Sequence, residues 1–164
     1  MKLSGILFIA LIAATTASAQ QDPTAAPAGA KPILTLLGEG VQIYACKDTP
    51  TGPAWTFTAP QATLLNHTTK AGTHFAGPTW TLTDGSSVKG KLLATSPSPD
   101  PNAIPWLLLQ AAETKGPGTL STVAYIRRSE TQGGKARTTG CDAAHLGTAD
   151  QVPYKATYTF YTAQ

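Results

Sequence analysis

From Ile33 onward the apolar positions of this chain recur at every second residue. Glu39–Lys47 (EGVQIYACK) sets Val41, Ile43 and Ala45 against Gln42, Tyr44 and Cys46, and Ala54–Ala59 alternates Trp55 and Phe57 with threonine. Runs of this period in β-branched and aromatic residues put alternate side chains on opposite faces of a sheet. Pro78–Thr83 and Ser86–Thr95 flank Asp84-Gly85, a strong hairpin signal. Ile104–Glu113 carries Leu107-Leu108-Leu109, a run that fits a strand or a buried helix segment; Pro105 before it and Pro117 after it favour a short element, and we read a strand. Leu120–Arg128 and Pro153–Tyr161 complete the set. In the last, Tyr154, Ala156, Tyr158 and Phe160 share one face, and Lys155, Thr157, Thr159 and Tyr161 the other. With about eight to ten short strands and no convincing helix, the chain is expected to be all-β, an antiparallel sandwich or barrel. Two long connections interrupt it, the Pro-rich Ser96–Asn102 and the Gly/Thr-rich Thr131–Asp150.

The first residues follow another pattern. Lys2, an apolar run from Leu3 to Ala14 and the small residues Ala17-Ser18-Ala19 read as a signal peptide over residues 1–19. Residues 20–32 (QQDPTAAPAGAKP) read as a flexible Pro/Ala-rich tether, and 33–164 as one β domain. The expected destination is the periplasm or the extracellular space, with no membrane span in the mature chain. Export changes the reading of Cys46 and Cys141, the only two cysteines: in an oxidising compartment they are expected to pair as one disulfide, which anchors the second long connection to the Cys46 strand. Of the 164 residues 13% are charged and 41% hydrophobic, which excludes a disordered polyelectrolyte, and a net charge of +3 gives no nucleic-acid footprint. A monomer is expected.

Several phrases occur together and in order: Gly40–Cys46 (GVQIYAC), Gly72–Trp80 (GTHFAGPTW), Asp100–Leu109 (DPNAIPWLLL), Gly140–His145 (GCDAAH) and Val152–Tyr161 (VPYKATYTFY). With them the chain from about Ile33 to Tyr161 resembles the domain-of-unknown-function 3455 family of exported bacterial and fungal proteins. The resemblance implies an exported single domain with no established activity and no assigned catalytic residues. The chain departs from the family pattern at Arg137, where a Pro is expected after Gly-Gly-x-Ala. Some fungal members carry a malate dehydrogenase label, but Gly38-Glu39-Gly40-Val41-Gln42-Ile43 lacks the third glycine of a dinucleotide fingerprint and continues as strand. No cofactor is expected.

Candidate chemistry is sparse. His67 and His74 would face each other if a turn centred on Lys70-Ala71, and with His145 or Asp142 they would make a Zn or Cu site. An Ala71-Gly72 turn instead pairs Thr69 with His74, and a three-residue Gly-ending loop pairs Thr68 with His74, so no metal site is assigned. No Gly-x-Ser-x-Gly elbow is present. The carboxylates Glu39, Asp84, Asp100, Glu113, Glu130 and Asp142 would serve a glycosidase only at a set spacing. Trp55 and Tyr158 read as core, and Trp106 as a candidate for a sugar-stacking platform. Of Arg127-Arg128 one would face inward and need a carboxylate, as a structural ion pair for which Asp142 or Glu130 could serve, or as an anion-binding arginine; we read the structural pair. Asn66-His67-Thr68 fits a glycosylation acceptor. The leading expectation is a non-enzymatic binding or envelope-associated module for a small molecule, a glycan or an envelope partner. The alternatives are a secreted hydrolase with a carboxylate/His site and a His-based Cu/Zn-binding protein. Because exposed connections carry function, the candidate ligand-binding positions are His74, Trp80, Asp100, Asn102, Trp106, Arg127, Asp142 and His145.

Overall fold

The computed structural model describes residues 22–164; the expected signal peptide lies outside the described residues. Eight strands run in order: β1 (Lys31–Lys47), β2 (Ala54–Asn66), β3 (Thr69–Phe75), β4 (Thr79–Leu82), β5 (Ser87–Ser96), β6 (Trp106–Lys115), β7 (Tyr125–Gly133) and β8 (Ala149–Thr162). Each is antiparallel to its neighbour in sequence, and β8 pairs back onto β1, so the sheet closes as an up-and-down barrel. Of the two architectures the alternation allows, closure selects the barrel, and it leaves no unpaired edge.

The alternation predicted for β8 is present. Tyr154, Ala156, Tyr158 and Phe160 are all buried, facing a core that includes Leu36, Leu64, Trp80, Val88, Leu109 and Ile126. In β1 the buried set is Leu36, Gly38, Gln42, Tyr44 and Cys46, with Val41, Ile43 and Ala45 only half-buried. Gly38 makes the inward face of β1 passable for the largest ring: a Cβ there would stand 2.5 Å from Cε2 of Tyr158. The Leu107–Leu109 run is strand, as read.

The two ends of the barrel are built differently. At one end a single 3-10 turn, Thr119–Thr122, drops Leu120 into the barrel, where it is fully buried. At the other end the connections β5–β6 and β7–β8 fold together. Ile104 N–H donates to Gly133 O at 2.9 Å, Ala103 bridges Gly134, and Tyr44 Oη donates to Gly134 O at 2.6 Å. Ile104 is buried by this arrangement and stops the part of the opening nearest β1, β7 and β8. The Cys46–Cys141 disulfide joins the β7–β8 connection to the end of β1, with Cα atoms 5.3 Å apart. Backbone bonds Cys46 N to Thr148 O and Gly147 N to Cys46 O, both 2.9 Å, flank it.

Some expectations are revised. The β2–β3 turn is His67-Thr68, since Asn66 pairs with Thr69 and His67 takes a φ of 54°. None of the three turns considered within Thr68–Thr73 forms. Gly72 is a strand residue: a Cβ there would lie 2.2 Å from Thr81 O, so the missing side chain admits β4. Trp55, expected in the core, is only half-buried and donates from Nε1 to Thr139 O at 2.9 Å. Lys31 and Pro32, read as tether, are the first residues of β1 and pair with Thr162 and Tyr161, and Thr24 before them is fully buried. Gly38–Ile43 runs through the middle of β1, with no turn into a helix to hold a pyrophosphate.

Candidate functional site

The open part of the barrel leads into a cavity of about 180 Å³. Its apolar wall comes from Phe57 and Pro60 on β2, Pro78 before β4, Leu92 on β5, and Leu107 and Leu109 on β6. A register shift between Ile43 and Tyr44 on the β1–β2 ladder sets Phe57 opposite Tyr44, ring centroids 5.8 Å apart, at the mouth. A second shift between Leu92 and Ala94 places Leu92 there. Both stay wet, with Phe57 51% and Leu92 54% exposed, so large apolar groups face solvent where the barrel is open.

The base is aromatic and polar. His74 lies flat on Trp80, centroids 4.3 Å apart and planes within 7°, and meets Tyr158 edge-on at 5.1 Å. His74 is 3% exposed. Its Nδ1 is 2.9 Å from Thr79 O, and a carbonyl only accepts, so the proton sits on Nδ1 and Nε2 is left as an acceptor. Burial lowers the His74 pKa to about 4, and the ring is neutral at physiological pH. Tyr158 and Tyr154 share a 3.1 Å hydrogen bond, and burial raises both phenols further above their ordinary range. Trp80 Nε1 and Gln42 Nε2 are buried with no hydrogen-bond partner among the described residues.

Arg128 completes the lining. It shares the inward parity of Ile126 and stands across the ladder from Tyr158. Its Nε and Nη2 donate to Pro105 O at 3.1 and 2.8 Å. The inward arginine was expected to meet Asp142 or Glu130. It meets neither: Asp142 caps the short turn Ala143–His145, and Glu130, at a φ of 50°, accepts from Thr157 at 2.7 Å. Among the described residues no ion pair includes Arg128.

The eight candidate positions fall into separate places. His74 and Trp80 meet in the cavity. Arg127 points outward, pairs with Asp22 at 2.6 Å and lies 5.2 Å over the ring of Trp106, which is half-buried beneath it. Asp100 and Asn102 shape the β5–β6 connection, Asn102 N–H donating to the Asp100 carboxylate at 2.8 Å. Asp142 caps the short 3-10 turn Ala143–His145, accepting from Ala144 N and from His145 Nδ1 at 2.9 and 2.7 Å; the bond from His145 leads the groups that lower its pKa. His67, His74 and His145 stand in a turn, the barrel interior and a surface loop. Among the described residues no three His, Cys, Asp or Glu side chains gather as a metal site would need.

Sequence reasoning turned one of Arg127-Arg128 inward but chose Arg127 as the candidate; it missed Phe57, Leu92 and Leu107, and it read Tyr158 as core. The parity of Arg128 with Ile126 was the available signal for choosing Arg128.

Among the described residues no helix is long and apolar enough to cross a membrane. No curated protein and no solved structure matches the chain. The family described as "Protein of unknown function (DUF3455)" matches residues 27–162, the stretch that forms the barrel and its cavity, and the chain belongs to that family.

Proposed function

We propose that this protein is an exported binding module that takes one small, largely apolar molecule into the open end of its barrel. The observation that carries the reading is the cavity itself, roofed by solvent-exposed Phe57 and Leu92 and floored by the His74–Trp80 stack. An eight-stranded barrel has an interior that side chains just fill or that holds one small ligand, and here they leave about 180 Å³ unfilled. A cavity of roughly 150 Å³ takes one benzene-sized ring. The lining holds no carboxylate and no thiol, which favours binding over hydrolysis by paired carboxylates at this place. The disulfide supports export, since such bonds persist in oxidising compartments.

The test is titration of the disulfide-intact mature chain with indole, followed through leucine methyl resonances. Shifts confined to Leu92, Leu107 and Leu109, abolished by Leu92→Trp, are the expected result. No shift at millimolar indole, or shifts scattered over the surface, overturns the reading.

A further inference from the structure

We infer that the molecule this cavity accepts is a small monocarboxylate, its carboxylate on Arg128 beside Pro105 and its apolar body against the wall that includes Phe57 and Leu92. This rests on the cavity reading above and adds the charge of the ligand.

The argument starts from an uncompensated cation. A guanidinium carries five N–H donors and stays charged at any relevant pH. Arg128 spends Nε and Nη2 on one neutral acceptor, Pro105 O, which turns the outer edge of the guanidinium, with Nη1, away from that carbonyl. Among the described residues the charge itself has no counterion. The other two arginines each have an acidic partner: Arg127 lies 2.6 Å from Asp22 and Arg137 2.9 Å from Asp150. Of the cavity-lining residues Arg128 alone bears a formal charge, because His74 is neutral with its proton on Nδ1.

Arg128 is half-buried, and its charge stands beside leucine, proline and aromatic rings that give it no opposite charge. Nothing in the lining pairs it, so the partner arrives with the ligand. A planar carboxylate suits the free guanidinium edge, which presents parallel N–H groups to two oxygens. Tyr158, across the ladder from Arg128, offers a hydroxyl beside it, and Trp80 Nε1 is a buried donor with no partner. A phosphate dianion would bring more charge than one arginine balances. The cavity size sets the body: about one ring or a short branched chain beyond the carboxylate.

The experiment compares 3-phenylpropanoate with 3-phenylpropanamide, nearly equal in shape and different in charge, by calorimetry on the disulfide-intact chain at pH 7. The acid is expected to bind on the order of 10- to 100-fold tighter, as one charge-assisted contact provides. Arg128→Gln is expected to remove that preference, bringing the acid to about the affinity of the amide; Arg128→Lys, which keeps the charge, is expected to keep part of it. Should Arg128→Gln fail to fold, the acid-to-amide ratio in the wild-type and Arg128→Lys chains decides. Equal binding of acid and amide overturns the carboxylate and leaves the cavity reading standing. Binding of neither ligand removes both. Inorganic phosphate that displaces the acid at comparable concentration also overturns the proposal, since the site would then read the anion without its body.

Discussion

The two ends of the barrel are made from the same eight strands and treat polar groups in opposite ways. At the closed end every group of the turn network has a partner. The Asp84 carboxylate accepts from Ser86 N at 2.9 Å, from Ser86 Oγ at 2.6 Å and from Thr119 N at 2.8 Å, and Ser86 Oγ in turn accepts from Leu120 N at 3.1 Å. That network holds Leu120 in the barrel. At the open end, among the described residues, Trp80 Nε1 has no partner and Arg128 no counterion, and Phe57 and Leu92 face water. Folding stability alone favours the first arrangement, since each unsatisfied buried group costs about 1–3 kcal/mol. The contrast separates a part of the fold that is finished by its own residues from a part that a second molecule would finish.

The largest expected effect is at the staple of the open end. Cys46 and Cys141 lie 95 residues apart, and a loop of that length gives about 4–5 kcal/mol in the chain-entropy picture. The double variant Cys46→Ser/Cys141→Ser is expected to melt about 10–20 °C lower than the oxidised chain. Hydrogen exchange should rise first in the β7–β8 connection, where Gly147 and Thr148 bond to the Cys46 backbone, and last around Leu120. Equal loss of protection at both ends would break the comparison.

The next effect is a pH slope that belongs to the open end. The His74 pKa is lowered from 6.5 to about 4 by burial. The unfolded chain therefore binds a proton between those values that the folded chain refuses. Stability is complete above about pH 6.5 and is lost as the pH falls toward 4, by roughly 3 kcal/mol in all. Denaturant melts at pH 7, 6, 5 and 4 measure it. His74→Phe, which keeps a ring against Trp80, is expected to flatten that interval; an unchanged slope would place the titrating group elsewhere.

How much of this was legible follows from how local each feature is. The β8 alternation, the Asp84-Gly85 turn and the single cysteine pair are local or settled by elimination, and all three are present. Barrel closure is not local: it depends on β1 meeting β8 more than a hundred residues away, and no short pattern encodes that pairing. The cavity was half legible. His74 and Trp80 were each singled out, but their stacking depends on the β3–β4 register, which the true turn at His67-Thr68 fixes. Gly72 misled because a glycine that admits a neighbouring strand looks, in one sequence, like a glycine that makes a turn. Phe57 and Leu92 reach the mouth through ladder irregularities that period-two counting cannot see.

The smallest expected effect sharpens the contrast from the closed end. Asp84 is held well below the ordinary carboxylate range, first by the Ser86 hydroxyl and then by the Thr119 and Ser86 amides. A lowered acid stabilises the fold above its unfolded value of 3.8 and stops doing so as the pH falls below it. The two ends therefore titrate in separate windows, His74 between pH 6.5 and 4 and Asp84 below that. Asp84→Ala removes the acceptor for three donors and loosens Ser86 under Leu120, and it is expected to cost about 2 kcal/mol at pH 7. Because Asp84 lies at the opposite end from Phe57 and Leu92, indole binding should not change. Asp84→Asn keeps an acceptor oxygen without the charge, and should recover part of the stability while leaving the slope between pH 6.5 and 4 as in the wild type. If Asp84→Ala weakened indole binding as strongly as Leu92→Trp, the plug and the mouth would be one cooperative unit, and the division of the barrel into a finished end and an unfinished one would not stand.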